Sequence, residues 1–571
     1  MNTHITASYD AIVVGTGISG GWAAKELCEN GLKTLVLERG RDVKHIQDYP
    51  TMHHDPWDFK FRGKMKAKTF ERKPVQKRYG GAKNEASAHW FVDDVDNPYT
   101  EIKKFNWIRG YHVGGRSIMW GRQSYRLGDL DFTANKLDGH GVDWPIRYKD
   151  IAPWYDKVEQ YIGVSGENHG LPQLPDGKLS EPMELNCVEK ELQKSIKNNF
   201  DDRLMMPGRA AHITGNALHE GRSKCQYRSR CIRGCPFGGY FSSNSSTLPA
   251  AERTGNMTLR PNSIAFEIVY DDQLKKATGV RVIDAITKEK LFFKADIIFS
   301  CASTLGTTGL LLQSKSKRFP NGLGNDSGEL GHNLMDHHFK VGATATFDGH
   351  QDSYYKGKRP ASFYIPRFRN VDEKSKRKDF IRGYGYQGRA SRGADWRSGI
   401  KELSYGLQLK EEGVKPGEWS IGITAFGECL PYHENKVTLN EELLDAWGLP
   451  TLNIDAEFKE NEFNMRKDMK EQAVKMLKTA GFKNVKPKDE EPIIGFAIHE
   501  MGTARMGRDP KTSVLNKHNQ LHSVPNVYVT DGACMTSSAC QNPSLTYMAL
   551  TARAANHAVQ QFKKNKKETY G

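Results

Sequence analysis

Cys225, Cys231 and Cys235 fall within eleven residues in the pattern C-x5-C-x3-C-P. A loop that short, with Gly234 to turn it and Pro236 to end it, can aim three thiolates at one point, the donor set of an iron–sulfur cluster. The same residues allow two other chemistries: zinc, which would want a fourth ligand such as His219 upstream, or one disulfide and a free thiol. Arg222, Lys224, Arg228, Arg230 and Arg233 crowd the loop, and their charge suits an anionic cluster or an acidic docking partner. The remaining cysteines, Cys28, Cys187, Cys301, Cys429, Cys534 and Cys540, have no metal-like spacing and read as small buried apolar residues.

A second constellation opens the chain. The apolar run Ala11-Ile12-Val13-Val14 leads into Gly15-Thr16-Gly17-Ile18-Ser19-Gly20, and Leu35-Val36-Leu37-Glu38 follows at the distance of a returning strand. This spacing predicts a nucleotide-binding βαβ unit: Gly15 for the tight turn, Gly17 for close approach of a pyrophosphate, Gly20 for packing of helix on strand. Glu38 ends the second strand, where a carboxylate can accept hydrogen bonds from ribose hydroxyls and would repel a 2′-phosphate.

These groups must be held by a large scaffold. With 571 residues, two interleaved domains are expected, and 10 Trp, 22 Tyr and 25 Phe argue for a folded enzyme. The net charge of +15 is spread over 83 cations and 68 anions, so nucleic acid is not implied; the dense run Lys563-Lys564-Asn565-Lys566-Lys567 is expected to be a frayed tail. No apolar stretch is long enough to span a membrane, and Met1-Asn2-Thr3-His4 lacks the pattern of a signal peptide. Strand patterns recur at 258–261, 264–270, 277–282, 295–300 and 527–530, and an amphipathic helix is expected near 462–480, with Phe463, Met465, Met469, Ala473, Met476 and Leu477 on its core face. Asn542-Pro543-Ser544 opens a last helix, expected to run through Ala555.

Further motifs complete a fixed order along the chain: Gly114-Gly115-Arg116-Ser117-Ile118-Met119-Trp120, then Ser300-Cys301-Ala302-Ser303-Thr304-Leu305-Gly306, then His499-Glu500-Met501-Gly502-Thr503-Ala504-Arg505, then Gln541-Asn542-Pro543-Ser544. Together with the first fingerprint they resemble the glucose-methanol-choline (GMC) flavoprotein oxidoreductases over essentially the whole chain. Within that family the chain looks most like the large subunits of bacterial sugar and polyol dehydrogenases. The resemblance implies an α/β (α+β) fold in which a Rossmann-like FAD-binding domain is interleaved with a mixed-sheet substrate-binding domain. The expected division is 1–344 for FAD binding, including an irregular 41–105 segment and the cysteine loop 219–240, then 345–490 for substrate binding, and 491–571 returning to the FAD-binding domain.

Matched to the family's motifs, Gly15, Gly17, Gly20 and Glu38 take the ADP part of FAD, Gly114, Gly115 and Ser117 lie beside the isoalloxazine, and Asp531 with Gly532 lie near the phosphate and ribityl chain. Pro543 and Ser544 start a helix whose free N–H groups suit negative charge developing on the flavin. His499 and Asn542 occupy the two catalytic places: His499 takes the alcohol proton as hydride leaves for the flavin, and Asn542 holds or orients the hydroxyl oxygen. Met119 stands where pyranose oxidases carry the histidine that links to flavin, so FAD is expected to be noncovalent.

The cysteine spacing also matches the cluster-bearing sugar dehydrogenases, which implies a [3Fe-4S] centre on Cys225, Cys231 and Cys235. The expected reaction is oxidation of a secondary hydroxyl of a sugar or glycoside, the C3 hydroxyl of glucosides first, with glucose C1, gluconate C2, polyols or an O₂-using pyranose-type oxidase as alternatives. The expected partners are a c-type cytochrome or quinone acceptor and a small subunit bearing a twin-arginine signal, with periplasmic export in its company; a cytoplasmic enzyme is the alternative. Substrate contacts are expected from Tyr354, Tyr355, Tyr384, Tyr386, Gln387 and Trp396, whose aromatic faces and polar groups suit a sugar.

Overall fold

A computed structural model describes residues 5–61, 63–215, 219–353, 362–392, 406–407, 410 and 417–570. The first strand is Ile5–Val14, whose apolar run Ala11–Val14 is buried between parallel neighbours. It pairs with Thr34–Leu37 on one side and Lys290–Ser300 on the other, and the sheet extends to Met257–Arg260 beyond the first and to Val524–Val529 beyond the second, all in parallel. A hairpin, Ser263–Asp271 with Lys276–Asp284, joins antiparallel to Lys290–Ser300, and Gln520–Leu521 closes the far edge. Strand order thus reverses between Ile5–Val14 and Lys290–Ser300, and the crevice at that switch point is where a doubly wound sheet binds nucleotides.

A second, six-stranded sheet is antiparallel throughout and runs Lys483–Asp489, His338–Phe347, Trp419–Gly427, Tyr384–Arg392, Phe363–Ile365, Met206–Pro207. One face packs on the helices Glu460–Thr479 and Cys187–Asn199, as the period-two burial of Trp419, Ile421, Ile423 and Ala425 requires. The helix at 460–479 carries Met465, Met469, Ala473, Met476 and Leu477 into that core as its periodicity predicts. Phe463 departs from the prediction: it is 45% exposed, because two residues before Met465 is roughly 200° round the helix and points away from the core face. A third, small sheet joins Lys436–Leu444 and Pro450–Asp455 to Thr100–Glu101.

The last helix, Ser544–Tyr570, runs well past Ala555 and takes in the basic run expected to fray. Ala554, Ala555 and Ala558 pack it on the nucleotide domain's core, and helix continues outward from that anchored half. Among the described residues, no helix is long and apolar enough to cross a membrane.

Candidate active site

The first glycine-rich turn sits at the C-terminal end of Ile5–Val14, against the end of Lys290–Ser300. A Cβ on Gly15 would lie 2.4 Å from the Cys301 carbonyl oxygen, and Gly15 has φ of +98°. A Cβ on Gly20 would lie 1.9 Å from the Gly15 carbonyl oxygen. Both glycines are therefore demanded by the fold itself. Gly17 differs, because a Cβ there would meet nothing within 4 Å. It starts the helix Ile18–Glu29 with no side-chain cap and no acidic residue in the first turn, leaving backbone N–H groups and the positive helix end facing open space. That cradle fits the pyrophosphate of FAD. Glu38, buried at the end of the neighbouring strand, accepts from Thr16 Oγ1 at 2.5 Å and Gly40 N at 3.0 Å, which brings the acid back onto the same turn.

The second glycine-rich turn lies directly on the first. Gly114 donates its N–H to Thr16 Oγ1 at 2.9 Å, and a Cβ on Gly115 would stand 3.5 Å from Gly17 Cα. Gly114 and Gly115 both have positive φ, and Ser117 stitches the turn by donating to the Gly114 carbonyl and accepting from Ser243 N. Asp531 and Gly532 end the strand Val524–Val529 on the same side. Asp531 accepts from Thr307 Oγ1 at 2.5 Å and Ala533 N at 3.0 Å, and burial pushes its carboxyl up to about 6. Gly532 passes so close to the Glu500 carbonyl and Thr304 Oγ1 that a Cβ would sit 2.3 and 2.4 Å from them.

His499 and Asn542 come together although 43 positions separate them: Asn542 Nδ2 lies 3.4 Å from His499 Nε2. Asn542 precedes Pro543 and the start of the last helix at Ser544, while His499 follows Ile498, whose φ of +63° is costly for a β-branched residue and marks a backbone held by its surroundings. Those surroundings include Asp336, whose carboxylate accepts from His499 N at 3.0 Å and Ala497 N at 3.1 Å. Burial and the nearby Glu500 push Asp336 up to about 7. Glu500 pairs with Arg116 of the second glycine turn at 3.1 Å, tying the His499 segment to that turn. Burial first, and then His337 and Arg116, hold the His499 imidazole well below the ordinary histidine value, so it is a neutral proton acceptor at physiological pH.

The six-stranded sheet roofs these residues with the face turned away from its helices. Gln387 Nε2 donates to Asn542 Oδ1 at 2.5 Å. Phe426 lies 6.2 Å from His499, ring to ring, and continues through Phe339 and Phe496 into an aromatic wall that reaches Tyr79. That wall comes from four separate segments and had no signature in the sequence beyond strand alternation. Tyr384 and Tyr386, expected at the substrate, are instead fully buried on the opposite face, donating to Asp468 and to the Met469 carbonyl. Strand alternation explains both outcomes: 384 and 386 share one face and 387 takes the other. Tyr354, Tyr355 and Trp396 lie outside the described residues.

The three cysteines line a single pocket with His212 and Tyr240. His219, the candidate fourth ligand had the metal been zinc, lies against Gly163; His212 is the imidazole beside the thiols, its Nε2 3.9 Å from Cys231 Sγ. Tyr227, Ser229 and Gly234 all adopt positive φ, which curls the loop around its own interior. Among the described residues, no group of three or more His, Cys, Asp or Glu side chains is drawn together tightly enough to hold a metal ion. The chemistry of the pocket still fits a thiolate-ligated cluster. All the cysteines are free, the cationic Arg122 acts on Cys225 and Cys231, and burial pushes the Cys225 thiol up to about 11, a proton that a bound cation would displace. Tyr240, at the pocket wall, donates to the Ile118 carbonyl, so the cysteine pocket abuts the second glycine turn.

Comparison with known proteins agrees with this geometry. GMC oxidoreductase family profiles match residues 9–339 and 431–551. The chain is 28% identical to a 2-methyl-1,2-propanediol dehydrogenase of Mycolicibacterium austroafricanum, over 97% of this chain and 95% of that protein. It is 25% identical to the fructose dehydrogenase large subunit of Gluconobacter japonicus, over 98% and 99%. Its fold superposes on a formate oxidase of Aspergillus oryzae with a TM-score of 0.61 at 14% identity, covering 98% of this chain and 99% of that one. With the dinucleotide crevice, the two stacked glycine turns and the His499–Asn542 pair in place, the chain belongs to the GMC oxidoreductases, FAD-dependent enzymes that act on alcohol groups.

Proposed function

We propose that this protein is a dehydrogenase that oxidises a secondary hydroxyl of a sugar, glycoside or polyol, with the C3 hydroxyl of a glucoside as the favoured position. The observation that carries the reading is the meeting of His499 Nε2, the Asn542 amide and the aromatic wall of Phe426, Phe339 and Phe496 beside the glycine turns that cradle FAD. Asn542 donates to the substrate oxygen, and His499 Nε2 accepts the hydroxyl proton as the carbon–hydrogen bond gives up its hydride. Bound FAD supplies the two-electron acceptor for that hydride. Phe426 and its neighbours offer an apolar face to the C–H side of a sugar ring, and Gln387 holds Asn542 in its donating orientation. The relatives, a diol dehydrogenase and a fructose dehydrogenase large subunit, support a polyhydroxylated substrate and a multi-subunit setting.

In this reading Cys225, Cys231 and Cys235 hold a [3Fe-4S] cluster that supplies one-electron transfer, and the oxidant is a cytochrome or quinone. The support is the thiol pocket's position against the turn Gly115–Ile118. A small export subunit and a periplasmic place of work belong to the same proposal. The test is anaerobic reduction of the enzyme's FAD by glucosides, glucose, gluconate, fructose and polyols, followed by reoxidation with cytochrome c, a quinone or air. Bleaching by glucosides and fast electron delivery to the cytochrome or quinone are expected. Stoichiometric peroxide under air, with no transfer to the other acceptors, would replace the proposal with an oxidase.

A further inference from the structure

The Asp336-His337 dipeptide grips His499 twice. Asp336 takes the backbone N–H of His499, and the His337 ring meets the His499 ring edge to face, with Nδ1 of one 2.9 Å from Nδ1 of the other. His337 is 1% exposed and is held at both ring nitrogens, by His499 on one side and by backbone carbonyls on the other, so it buttresses the base and does not open to the substrate space. Its far nitrogen, Nε2, lies 3.0 Å from the Ala539 carbonyl oxygen and 3.4 Å from that of Ser538.

These contacts fix the protons one after another. A carbonyl oxygen can only accept, so His337 Nε2 carries the hydrogen. Burial holds His337 near 4, so the ring is neutral and its Nδ1 is a bare lone pair. The partner nitrogen, His499 Nδ1, must then donate. A neutral His499 with its proton on Nδ1 has its lone pair on Nε2, the atom that faces Asn542. Nothing at the Ala539 end can be reversed by turning an amide over, so the sense of the chain is set from there. The Asn542–Gln387 pair agrees at the other end: with Asn542 Oδ1 occupied by the Gln387 donor, the Nδ2 hydrogens face His499 Nε2.

We infer that His337 is the positioning residue that fixes the tautomer of His499, keeping Nε2 unprotonated and aimed at the substrate hydroxyl. The inference rests on His499 being the base. It adds how the base is readied: a backbone carbonyl, read through a neutral imidazole, selects one of two tautomers that in water are both populated. A neutral partner also leaves the imidazolium formed during the reaction less stabilised than a carboxylate would, so the proton is easily given up between turnovers.

The test separates this from packing and from the choice of base. In 15N-histidine-labelled protein, with His499 assigned by its loss in His499→Ala, Nε2 of His499 should report as unprotonated and Nδ1 as protonated; the opposite pattern would overturn the inference whatever the enzyme's substrate. His337→Leu removes the acceptor, and its limiting rate of flavin reduction should fall by roughly 10²–10⁴-fold, as for a base left in the wrong tautomer, with substrate affinity little changed. His337→Asn can place its Oδ1 where Nδ1 was, and should recover to within about tenfold of the parent rate. Equal losses in the Leu and Asn variants, or a Leu variant at full rate, would assign His337 to packing alone. Should the Leu variant fail to fold, the labelled parent protein and the Asn variant still decide.

Discussion

Gln387 Nε2 and Asn542 Oδ1 are 2.5 Å apart, joining the substrate-side sheet to the start of the last helix. The bond commits the Asn542 oxygen and leaves its amide hydrogens toward His499, 3.4 Å away. Asn542→Asp would replace that donor by an anion beside the imidazole, favouring the imidazolium and raising the His499 pKa. The competent base is the neutral form, which is lost as pH falls through that pKa. In the parent protein burial keeps that pKa well below the ordinary histidine value, so the acid limb of flavin reduction should lie below that of a free imidazole. In the variant the acid limb should move up by roughly 1–3 pH units. Superimposable pH profiles of the reductive half-reaction would show that the two side chains are not coupled.

His499→Ala should retain FAD, because the hydrogen bonds of His499 run to Asp336, His337 and Asn542, and its link to the second glycine turn is carried by the Glu500–Arg116 pair, which the substitution leaves in place. Substrate-driven flavin reduction should fall by about 10²–10⁴-fold through loss of the general base. Stopped-flow reduction under anaerobic conditions measures this directly, and a near-parental rate would remove His499 from the chemistry.

Legibility differed by residue for physical reasons. The nucleotide crevice was readable because strand, turn and helix are contiguous and each glycine answers a local clash or approach, as at Gly15 and Gly20. His499 and Asn542 were readable through their motifs, and the structure brings them together. His337 was not: it lies 162 positions before His499, and its meaning is a contact made only when the substrate-side sheet closes over the nucleotide domain. Phe339, Phe426 and Phe496 were missed for the same reason, each being one residue from a different segment. Tyr384 and Tyr386 were misread because an aromatic suited to a sugar is equally suited to a core, and only the strand's facing decides. His219 gave way to His212 because nearness in sequence to Cys225 does not survive the turn of the loop.

Gly17 and Gly20 make a paired test of what each glycine is for. Gly20→Ala forces a Cβ into the Gly15 carbonyl and should destabilise the protein by several kcal/mol, or prevent folding. Gly17→Ala meets only open space in the protein, so thermal stability without FAD should be close to the parent's while FAD affinity drops. Unchanged FAD affinity in Gly17→Ala would mean that the pyrophosphate does not approach this turn.

Met119 bears on how FAD is held. It follows the turn Gly115–Ile118, and its thioether cannot form a histidyl–flavin bond. Acid or protease denaturation should release all the yellow flavin into the supernatant. Flavin that stays on the denatured polypeptide would point to a covalent link elsewhere.

The cysteine pocket makes the sharpest demand on the electron path. Anaerobically purified protein should contain about three irons per chain and show the EPR signal of an oxidised [3Fe-4S] cluster. Cys231 Sγ lies 3.9 Å from His212 Nε2 and close enough to Arg122 to feel its charge, so its removal should break the cluster while leaving the two glycine turns and His499 untouched. Cys231→Ser should therefore reduce its flavin with substrate at close to the parental rate and fail to pass electrons to a cytochrome. The two half-reactions are expected to separate because the first needs only His499, Asn542 and FAD, whereas the second must leave through the pocket that Tyr240 joins to the Ile118 turn. Stoichiometric zinc without iron, or a Cys231→Ser enzyme that feeds cytochrome at full rate, would show that electrons leave by another route.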